Sequence, residues 1–346
     1  MKREEIVEML KVEERSEMEE IFRKAYDEKV RLCGKGVSVR GLVEAGNVCA
    51  KDCLYCGIRK SNAAVERYSL SIEEIVACAE ECKKLGYASI VIQSGEIESE
   101  KHTRFIEDVL GEIAPLKLGV TLSLGEQTED VYARWRAAGA ARYLLRIETS
   151  NPELYAKIHP KECSWSRRVE CLRALRRCDY QVGTGVMCGL PFQTYDDLAR
   201  DIEFYREIDA DMIGMGPYIE AANTPLGEVR SAECLVRSAE EKLNLGLKMI
   251  AATRLALGNV NIAAATALQA LADDGRERGV RAGANVIMPN VTEVRYRRNY
   301  QLYSGKPCLD ENASMCRHCL DARLAAIGEH ILYNAYGDSR HYRADR

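Results

Sequence analysis

The chain has 346 residues, of which 47% are hydrophobic and 29% are charged, a balance typical of a globular protein with a large core. The net charge of −4 gives no general basic surface, so nucleic acid is not an expected partner. No apolar run is long enough to cross a bilayer, and the amphipathic start MKREEIVEML is not a signal peptide, so membrane insertion and export are not expected. The 14 cysteines therefore favour a cytoplasmic protein in which some thiols bind metal.

Short β-rich segments alternate with longer amphipathic ones along the chain. The first helical stretch, Ile72–Leu85, has Ser71 and Glu74 at the spacing of a capping box and ends before Gly86. Eight units of a strand followed by a helix, over about 250 residues, are what a (β/α)8 barrel needs. A doubly wound open sheet is the alternative that periodicity leaves open. The predicted strands are Val37–Glu44, Ser89–Ser94, Gly119–Leu124, Arg142–Ile147, Val182–Met187, Met212–Met215, Asn261–Ala265 and Asn285–Met288.

The predicted barrel divides the chain into three parts. Residues 1–35 are expected to form an N-terminal helical segment, residues 36–290 the barrel, and residues 291–346 a polar C-terminal extension with cysteines of its own. The chemistry of such barrels sits at the carboxyl ends of the strands, so the residues that follow each strand are candidates for the site. A cysteine loop follows the first strand and a glycine turn follows the second.

The cysteines of the first loop, Cys49, Cys53 and Cys56, have the spacing C-x3-C-x2-C. Thiolates this close can converge on one iron–sulfur cluster, and a four-iron cluster held by three of them keeps one iron open to a chelating amino acid. Zinc is the competing metal, but a structural zinc site takes four ligands and no fourth lies nearby in the sequence. The pattern therefore favours a cluster over zinc or a chance grouping.

With Tyr55 before its last cysteine, this loop resembles the signature of the radical S-adenosylmethionine (SAM) superfamily. Members use a 4Fe–4S cluster to reduce SAM, which gives methionine and a 5′-deoxyadenosyl radical. The resemblance implies that the three cysteines hold three irons and that SAM chelates the fourth. The turn Ser94-Gly95-Glu96 is similar to the glycine-glycine-glutamate motif of the superfamily, with serine for the first glycine, and would meet the amino group of SAM.

A second cysteine array, Cys308-x7-Cys316-x2-Cys319, lies in the C-terminal extension. Three interpretations stay open: an auxiliary 2Fe–2S or 4Fe–4S cluster, a zinc ion with His318 as the fourth ligand, or a group of thiols without metal. Three thiolates alone do not determine which of these applies.

From Gly41 to Cys319 the sequence closely resembles the HydE family, the maturases of the FeFe-hydrogenase H-cluster. The segments that carry the resemblance are NVCAKDCLYCGIRK, IVIQSGE, VTLSLGE, RYLLRIETSNPELY, GPYIEAANTPL, GANVIMPN and YQLYSGKPCLDENASMCRHC. The sequence also resembles biotin synthase and the methylornithine synthase of pyrrolysine biosynthesis, but the C-terminal array favours HydE over both. The resemblance implies a radical that acts on sulfur of a cysteine-bound iron carbonyl cyanide precursor. It also implies a one-electron reductant and other hydrogenase maturases as partners.

The same resemblance implies roles for individual residues. Glu148 and Arg167 would contact SAM together with Tyr55 and the glycine turn, and Arg146 and Glu148 would act at the reacting centre. The substrate would dock in an inner cavity lined by Arg146, Thr266, Ala267, Met288, Tyr300 and Tyr303. Competing explanations are packing of the extension for the two tyrosines, core packing for Met288 and a rim salt bridge for Arg146.

This chain departs from the family pattern at three places. Ile147 stands where some members have a histidine, and Ala265-Thr266 stands where they have two threonines; both changes are expected to touch the substrate cavity. Phe192 replaces a glycine in the turn Gly189–Thr194, where only packing should change. Two other functions stay open: a radical SAM enzyme that rearranges, or inserts sulfur into, a small amino acid, and a non-catalytic iron–sulfur carrier or zinc scaffold.

Overall fold

The computed structural model describes residues 1–229 and 233–342, except for the side chains of Ser314 and Cys316. Helices and strands alternate along this part of the chain. The helices are α1 (Arg3–Lys11), α2 (Arg15–Cys33), α3 (Ile72–Lys84), α4 (Glu100–Ile113), α5 (Glu129–Ala137), α6 (Pro152–Ile158), α7 (Trp165–Arg177), α8 (Tyr195–Glu207), α9 (Ala239–Leu257), α10 (Thr266–Leu271), α11 (Gly275–Arg281), α12 (Val294–Arg297) and α13 (Ala313–Ala326). The strands are β1 (Gly36–Val39), β2 (Gly41–Gly46), β3 (Ser89–Ser94), β4 (Gly119–Ser123), β5 (Ala140–Leu144), β6 (Gln181–Thr184), β7 (Met187–Cys188), β8 (Met212–Ile213), β9 (Gly216–Pro217), β10 (Asn261–Ile262), β11 (Val286–Ile287) and β12 (His330–Ile331).

Seven parallel strands form a curled sheet in the order β10-β8-β6-β5-β4-β3-β2. Strand β11 bridges the open side of this sheet. It pairs in parallel with β1, where Ser38 lies opposite Val286, and an isolated bridge joins Ala263 to Val286. A further bridge joins Leu42 of β2 to Asn290, just after β11. The strands therefore curl into the predicted (β/α)8 arrangement, and the open doubly wound sheet is excluded.

Helix α3 shows how local sequence sets these elements. The hydroxyl of Ser71 accepts a hydrogen bond from the Glu74 N–H, and the Glu74 carboxylate accepts one from the Ser71 N–H, so the predicted capping box is present. Ile75 lies on the buried face of the helix. The chain turns after the helix at Gly86, whose φ of +75° favours glycine. Within residues 1–229 and 233–342, no helix combines the length and apolar character needed to cross a membrane.

The C-terminal tail crosses the amino-terminal ends of the barrel strands. Strand β12 pairs in parallel with β1, and the buried Glu329 before it pairs with the equally buried Lys29 of α2. Farther along, Asp338 pairs with Arg142 of β5 and accepts a hydrogen bond from Gln181 of β6 at 2.7 Å. Helices and tail thus cover this end, and the carboxyl ends of the strands are left as the mouth of the barrel.

Phe192, where the family pattern has glycine, lies in a turn with a φ of +67°. Glycine adopts this left-handed conformation without steric cost, whereas phenylalanine does not. The ring is 39% exposed, and the Lys157 ammonium lies 5.0 Å from its centroid. The substitution therefore strains the backbone as well as changing local packing, which is more than the packing change expected from the sequence.

Candidate active site

A cavity of about 320 Å³ opens at the carboxyl ends of the strands. This volume lies in the range of small-molecule sites. The cysteine loop, the strand ends and the C-terminal extension all contribute to its wall. The residues predicted from the sequence that line it are Cys49, Cys53, Tyr55, Cys56, Ser94, Gly95, Glu96, Arg146, Glu148, Thr266, Ala267, Met288, Tyr300 and Tyr303.

The cysteine loop is fixed over the end of β3. The Ala50 N–H donates to the Glu96 carbonyl oxygen at 2.8 Å, and the Glu96 N–H donates to Sγ of Cys49 at 3.3 Å. Gly95 is required for this approach, because a Cβ there would lie 2.2 Å from the carbonyl oxygen of Val48. The glycine turn and the cysteine loop are therefore held against each other by these contacts.

The three thiols of the loop line the same cavity, and their donor set fits an iron–sulfur cluster. Burial raises the pKa of the Cys49 and Cys53 thiols, and it raises that of Cys56 to about 12. A thiolate at these places needs a compensating positive charge, which a metal centre supplies. The residues present therefore fit the cluster that the sequence implies.

Four charged side chains form a network beside the thiols. Nε of Arg168 donates to Glu126 at 2.7 Å, and Nζ of Lys51 lies 3.1 Å from Glu96 and 3.2 Å from Glu126. Burial opposes ionisation of Glu126, but the charges of Arg168 and Lys51 outweigh it and hold its pKa below the ordinary value. At Glu96 burial dominates and raises the pKa. Such a network offers carboxylates to an ammonium and a guanidinium to a carboxylate, as an amino acid ligand requires.

Arg167, expected to contact SAM, is not among the residues that line the cavity. Its side chain is 47% exposed and pairs with Glu98 at 2.5 Å and with Glu126 at 3.3 Å. The next residue, Arg168, has a side chain that is 9% exposed and lines the cavity. The structure thus brings Arg168 to the site and leaves Arg167 on the rim.

Arg146 and Glu148 face the cavity from the segment after β5. Their side chains pair at 3.0 Å, and burial raises the pKa of Glu148. Glu148 has a φ of +66°, a left-handed conformation that is uncommon for residues other than glycine. Among the described residues, nothing hydrogen-bonds to the buried Nε of Arg146, so this donor is available to a ligand. Ile147 packs in the hydrophobic core instead, which corrects the expectation that it touches the cavity.

The opposite wall comes from α10 and the C-terminal extension. Tyr300 is 1% exposed, so it packs against the barrel and lines the cavity at once. Lys306 donates to the Tyr300 carbonyl oxygen at 2.8 Å and pairs with Glu44 of β2. Glu44 also accepts a hydrogen bond from Asn290 at 2.9 Å. This buried ion pair ties the extension to the barrel and places both charges in the cavity wall. Ala265 also lines the wall, so that departure from the family pattern does touch the cavity.

Sequence reasoning missed Lys51, Arg168 and Lys306. A signal existed for Arg168, since it lies four and seven residues before Leu172 and Leu175, on the face of α7 that is buried. The preceding arginine is turned about 100° away from that face. Lys51 lies between the first two cysteines, but no local pattern marks it or Lys306 as charged residues of the cavity.

Two cysteines of the second array, Cys308 and Cys319, line a separate cavity of about 210 Å³. The guanidinium of Arg276 lies 3.8 Å from Sγ of Cys308. The side chain of Cys316, the middle cysteine, lies outside the described residues. The array therefore stays a prediction of the sequence.

Comparisons with known proteins agree with this architecture. A sequence profile of the Radical SAM superfamily matches residues 43–205. The [FeFe] hydrogenase maturase subunit HydE of Thermotoga maritima is 41% identical over 326 residues, which cover 94% of this chain and 90% of that protein. The crystal structure of methylornithine synthase has a TM-score of 0.80 at 21% identity and covers 96% of this chain and 94% of its own. HydG from Carboxydothermus hydrogenoformans has a TM-score of 0.79 at 18% identity, with coverages of 96% and 76%.

The two structural likenesses establish the fold. Together with the thiols at the mouth and the superfamily profile, the barrel defines an enzyme of the radical SAM class. Within that class the chain belongs to the HydE family of [FeFe]-hydrogenase maturases. Membership implies a 4Fe–4S cluster and SAM as cofactors.

Proposed function

We propose that this chain is a radical SAM enzyme of [FeFe]-hydrogenase maturation in which Cys49, Cys53 and Cys56 hold three irons of the cluster and SAM occupies the fourth. One observation carries the proposal: these thiols, the glycine turn and the buried charged network line a single cavity. When bound, the cluster would supply the electron that cleaves SAM into methionine and a 5′-deoxyadenosyl radical.

The charged network suits the amino acid part of SAM. Glu96 lies at the glycine turn and would accept hydrogen bonds from the ammonium group. Arg168 would direct its guanidinium at the carboxylate, a role that the sequence suggested for Arg167. Glu148, held in its strained conformation, would accept hydrogen bonds from the ribose hydroxyls. These residues orient the cofactor, and orientation is the main contribution that the protein makes to such chemistry.

The inner wall would hold the substrate, a small molecule with a carboxylate. Arg146 offers a buried donor with no described protein partner, and Thr266, Tyr300 and Tyr303 add hydroxyl groups. Ala267 and Met288 supply apolar surface there. We propose that this substrate is a cysteine-bound iron carbonyl cyanide species and that its sulfur is the target. A site enclosed by the barrel and the extension excludes water from a reactive intermediate.

The second cysteine array would hold an auxiliary iron–sulfur cluster. Its support is the shared cavity of Cys308 and Cys319 and the spacing of the three cysteines. An external one-electron reductant and other hydrogenase maturases would be the partners of the enzyme, and the cytoplasm its compartment.

Anaerobic reconstitution with iron and sulfide, followed by SAM and dithionite, tests the proposal. We expect release of 5′-deoxyadenosine by the unaltered protein and none by Cys53→Ala, with the circular dichroism of the fold retained. Cys178→Ser, which changes a cysteine at the end of α7, is the matched control and should release it normally. Release by Cys53→Ala at the unaltered rate would overturn the cluster assignment. Turnover of a synthetic cysteine–iron carbonyl complex separates maturation from rearrangement of an ordinary amino acid.

A further inference from the structure

Tyr55, the aromatic residue before the last cysteine of the loop, is held by a buried histidine. Its hydroxyl lies 3.3 Å from Nε2 of His159, and the two rings meet edge to face with centroids 5.4 Å apart. His159 directly follows α6 and is 3% exposed. Its ring stacks on that of Tyr155 with a centroid distance of 3.8 Å. Three aromatic rings thus lead from the helix to the wall of the cavity.

The surroundings of His159 fix which nitrogen carries its proton. Nδ1 lies 3.0 Å from the carbonyl oxygen of Tyr155, which only accepts hydrogen bonds, so Nδ1 is the donor. Burial lowers the pKa of His159 to about 3, and the ring is therefore neutral near pH 7. Nε2 is then an acceptor, and the Tyr55 hydroxyl donates to it. This hydrogen bond and the edge-to-face contact of the two rings together restrain the orientation of the Tyr55 ring.

The backbone links the same two segments. The Leu54 N–H donates to the carbonyl oxygen of Ile158 at 3.0 Å, one residue before each member of the side-chain pair. The cysteine loop is therefore tied to the end of α6 twice, once through the main chain and once through Tyr55. The second tie reaches the cavity, because Tyr55 lines it, whereas Leu54 and Ile158 of the first tie are not among the lining residues.

We infer that His159 is a positioning residue of the SAM site: it holds the Tyr55 ring in the cavity wall between Cys53 and Cys56. The inference rests on the proposed function, because it concerns the place where SAM would bind. It assigns His159 no contact with SAM and no proton transfer. Its effect is exerted through the orientation of Tyr55.

This hydrogen bond predicts that substitutions of Tyr55 and His159 have coupled effects. In His159→Phe, the half-buried Tyr55 hydroxyl loses its acceptor, so the contact that holds the ring on this side is gone. In Tyr55→Phe, Nε2 of His159 loses its donor. The double variant removes both partners of the Tyr55–His159 bond and leaves two apolar rings. The Tyr155 carbonyl oxygen loses Nδ1 but still accepts a hydrogen bond from the backbone N–H of residue 159 at 3.1 Å, so the change is close to neutral. The effects of the two single substitutions are therefore not additive.

SAM affinity, measured by anaerobic equilibrium dialysis of the reconstituted protein, tests the inference without any turnover. We expect each single variant to bind SAM about tenfold more weakly, from the typical worth of the lost hydrogen bond and of the polar group left unpaired. The double variant should bind within about threefold of the unaltered protein. The change that SAM causes in the electron paramagnetic resonance of the reduced cluster should weaken in the single variants and return in the double one. His102→Phe is the control: it changes a histidine of α4 whose Nε2 is buried and, among the described residues, without a hydrogen bond.

The outcomes separate this inference from the proposed function. An unaltered protein that holds its cluster but binds no SAM would overturn the proposed function itself. If the unaltered protein binds SAM and His159→Phe binds it equally well, or if the two single effects add, the inference is wrong. Should His159→Phe lose its cluster, His159→Gln decides instead. Its amide oxygen can accept the Tyr55 bond, so it should bind SAM within about threefold, and a loss of tenfold or more would contradict the inference.

Discussion

The adjacent arginines at the start of α7 give opposite expectations when each is replaced by methionine. Arg168→Met removes a buried guanidinium that donates to Glu126 at 2.7 Å and to the Arg146 carbonyl oxygen at 3.1 Å. Arg167→Met removes a half-exposed guanidinium whose shortest contact is Glu98 at 2.5 Å. The two changes are chemically the same, so any difference between them comes from where the side chains lie.

The magnitudes follow from burial. Removing one partner of a buried ion pair costs about 3–5 kcal/mol, but Lys51 stays 3.2 Å from Glu126, so we expect Arg168→Met to lower the free energy of unfolding by about 2 kcal/mol. Arg167 is half-exposed and pairs with Glu98 and, at 3.3 Å, with Glu126, which keeps Arg168 and Lys51 as partners, so the loss of Arg167 should lower the free energy of unfolding by only about 0–1 kcal/mol. A charge-assisted hydrogen bond from Arg168 to the SAM carboxylate would be worth about 1.5–3 kcal/mol, so its loss weakens SAM binding about tenfold or more.

Urea unfolding and anaerobic dialysis of SAM measure the two effects separately. We expect Arg168→Met to reduce both stability and SAM affinity, and Arg167→Met to leave SAM affinity within about threefold. An equal loss of SAM affinity in both variants, or a greater one in Arg167→Met, would refute the argument that the buried arginine binds the cofactor. Unchanged stability in Arg168→Met would refute the ion-pair estimate.

Three further predictions concern other parts of the molecule. Lys306→Met should lower the free energy of urea unfolding by about 3–5 kcal/mol because Glu44 loses its buried partner, and adding Glu44→Gln should recover part of that loss; no recovery would argue against the pair. Burial raises the pKa of Asp201 to about 7, so the folded protein keeps a proton that the unfolded chain releases near pH 4. The contribution of Asp201 to stability in urea should therefore fall as the pH rises from about 4 to 7, and Asp201→Asn should lack this contribution, so the two profiles should differ in slope over that range; equal slopes would contradict the assignment. Cys319→Ala should lose the auxiliary iron in a colorimetric assay yet release 5′-deoxyadenosine within about twofold of the unaltered protein. Loss of 5′-deoxyadenosine release while the first cluster is intact would refute an auxiliary role.

Local patterns made the barrel predictable from the sequence. The strand predicted over Ser89–Ser94 has the same bounds in the structure, and the capping box at Ser71 is present at the start of α3. These features depend on residues a few positions apart, and so do the cysteines of the loop. A period of two also accounts for Ile147, since alternate residues of an extended segment point to opposite sides. Sequence reasoning did not apply that rule there and placed Ile147 in the cavity.

The charged part of the site could not be predicted in the same way. Lys51 and Glu126 are 75 residues apart in the chain, and Glu44 and Lys306 are 262 apart. These pairs come together only when the barrel closes and the extension packs against it, and no local pattern in the sequence indicates such long-range contacts. The choice between Arg167 and Arg168 could have been made from the sequence, because the helical period of α7 places Arg168 on its buried face.

The central claim is that three thiols of one loop leave an iron site to which SAM binds through its amino acid group. Electron–nuclear double resonance of the reduced, reconstituted protein, with SAM labelled with ¹⁵N at its amino group, tests this contact directly. The account predicts a resolved hyperfine coupling between the cluster and the label. A reduced four-iron cluster whose spectrum shows no such coupling at saturating SAM would contradict it.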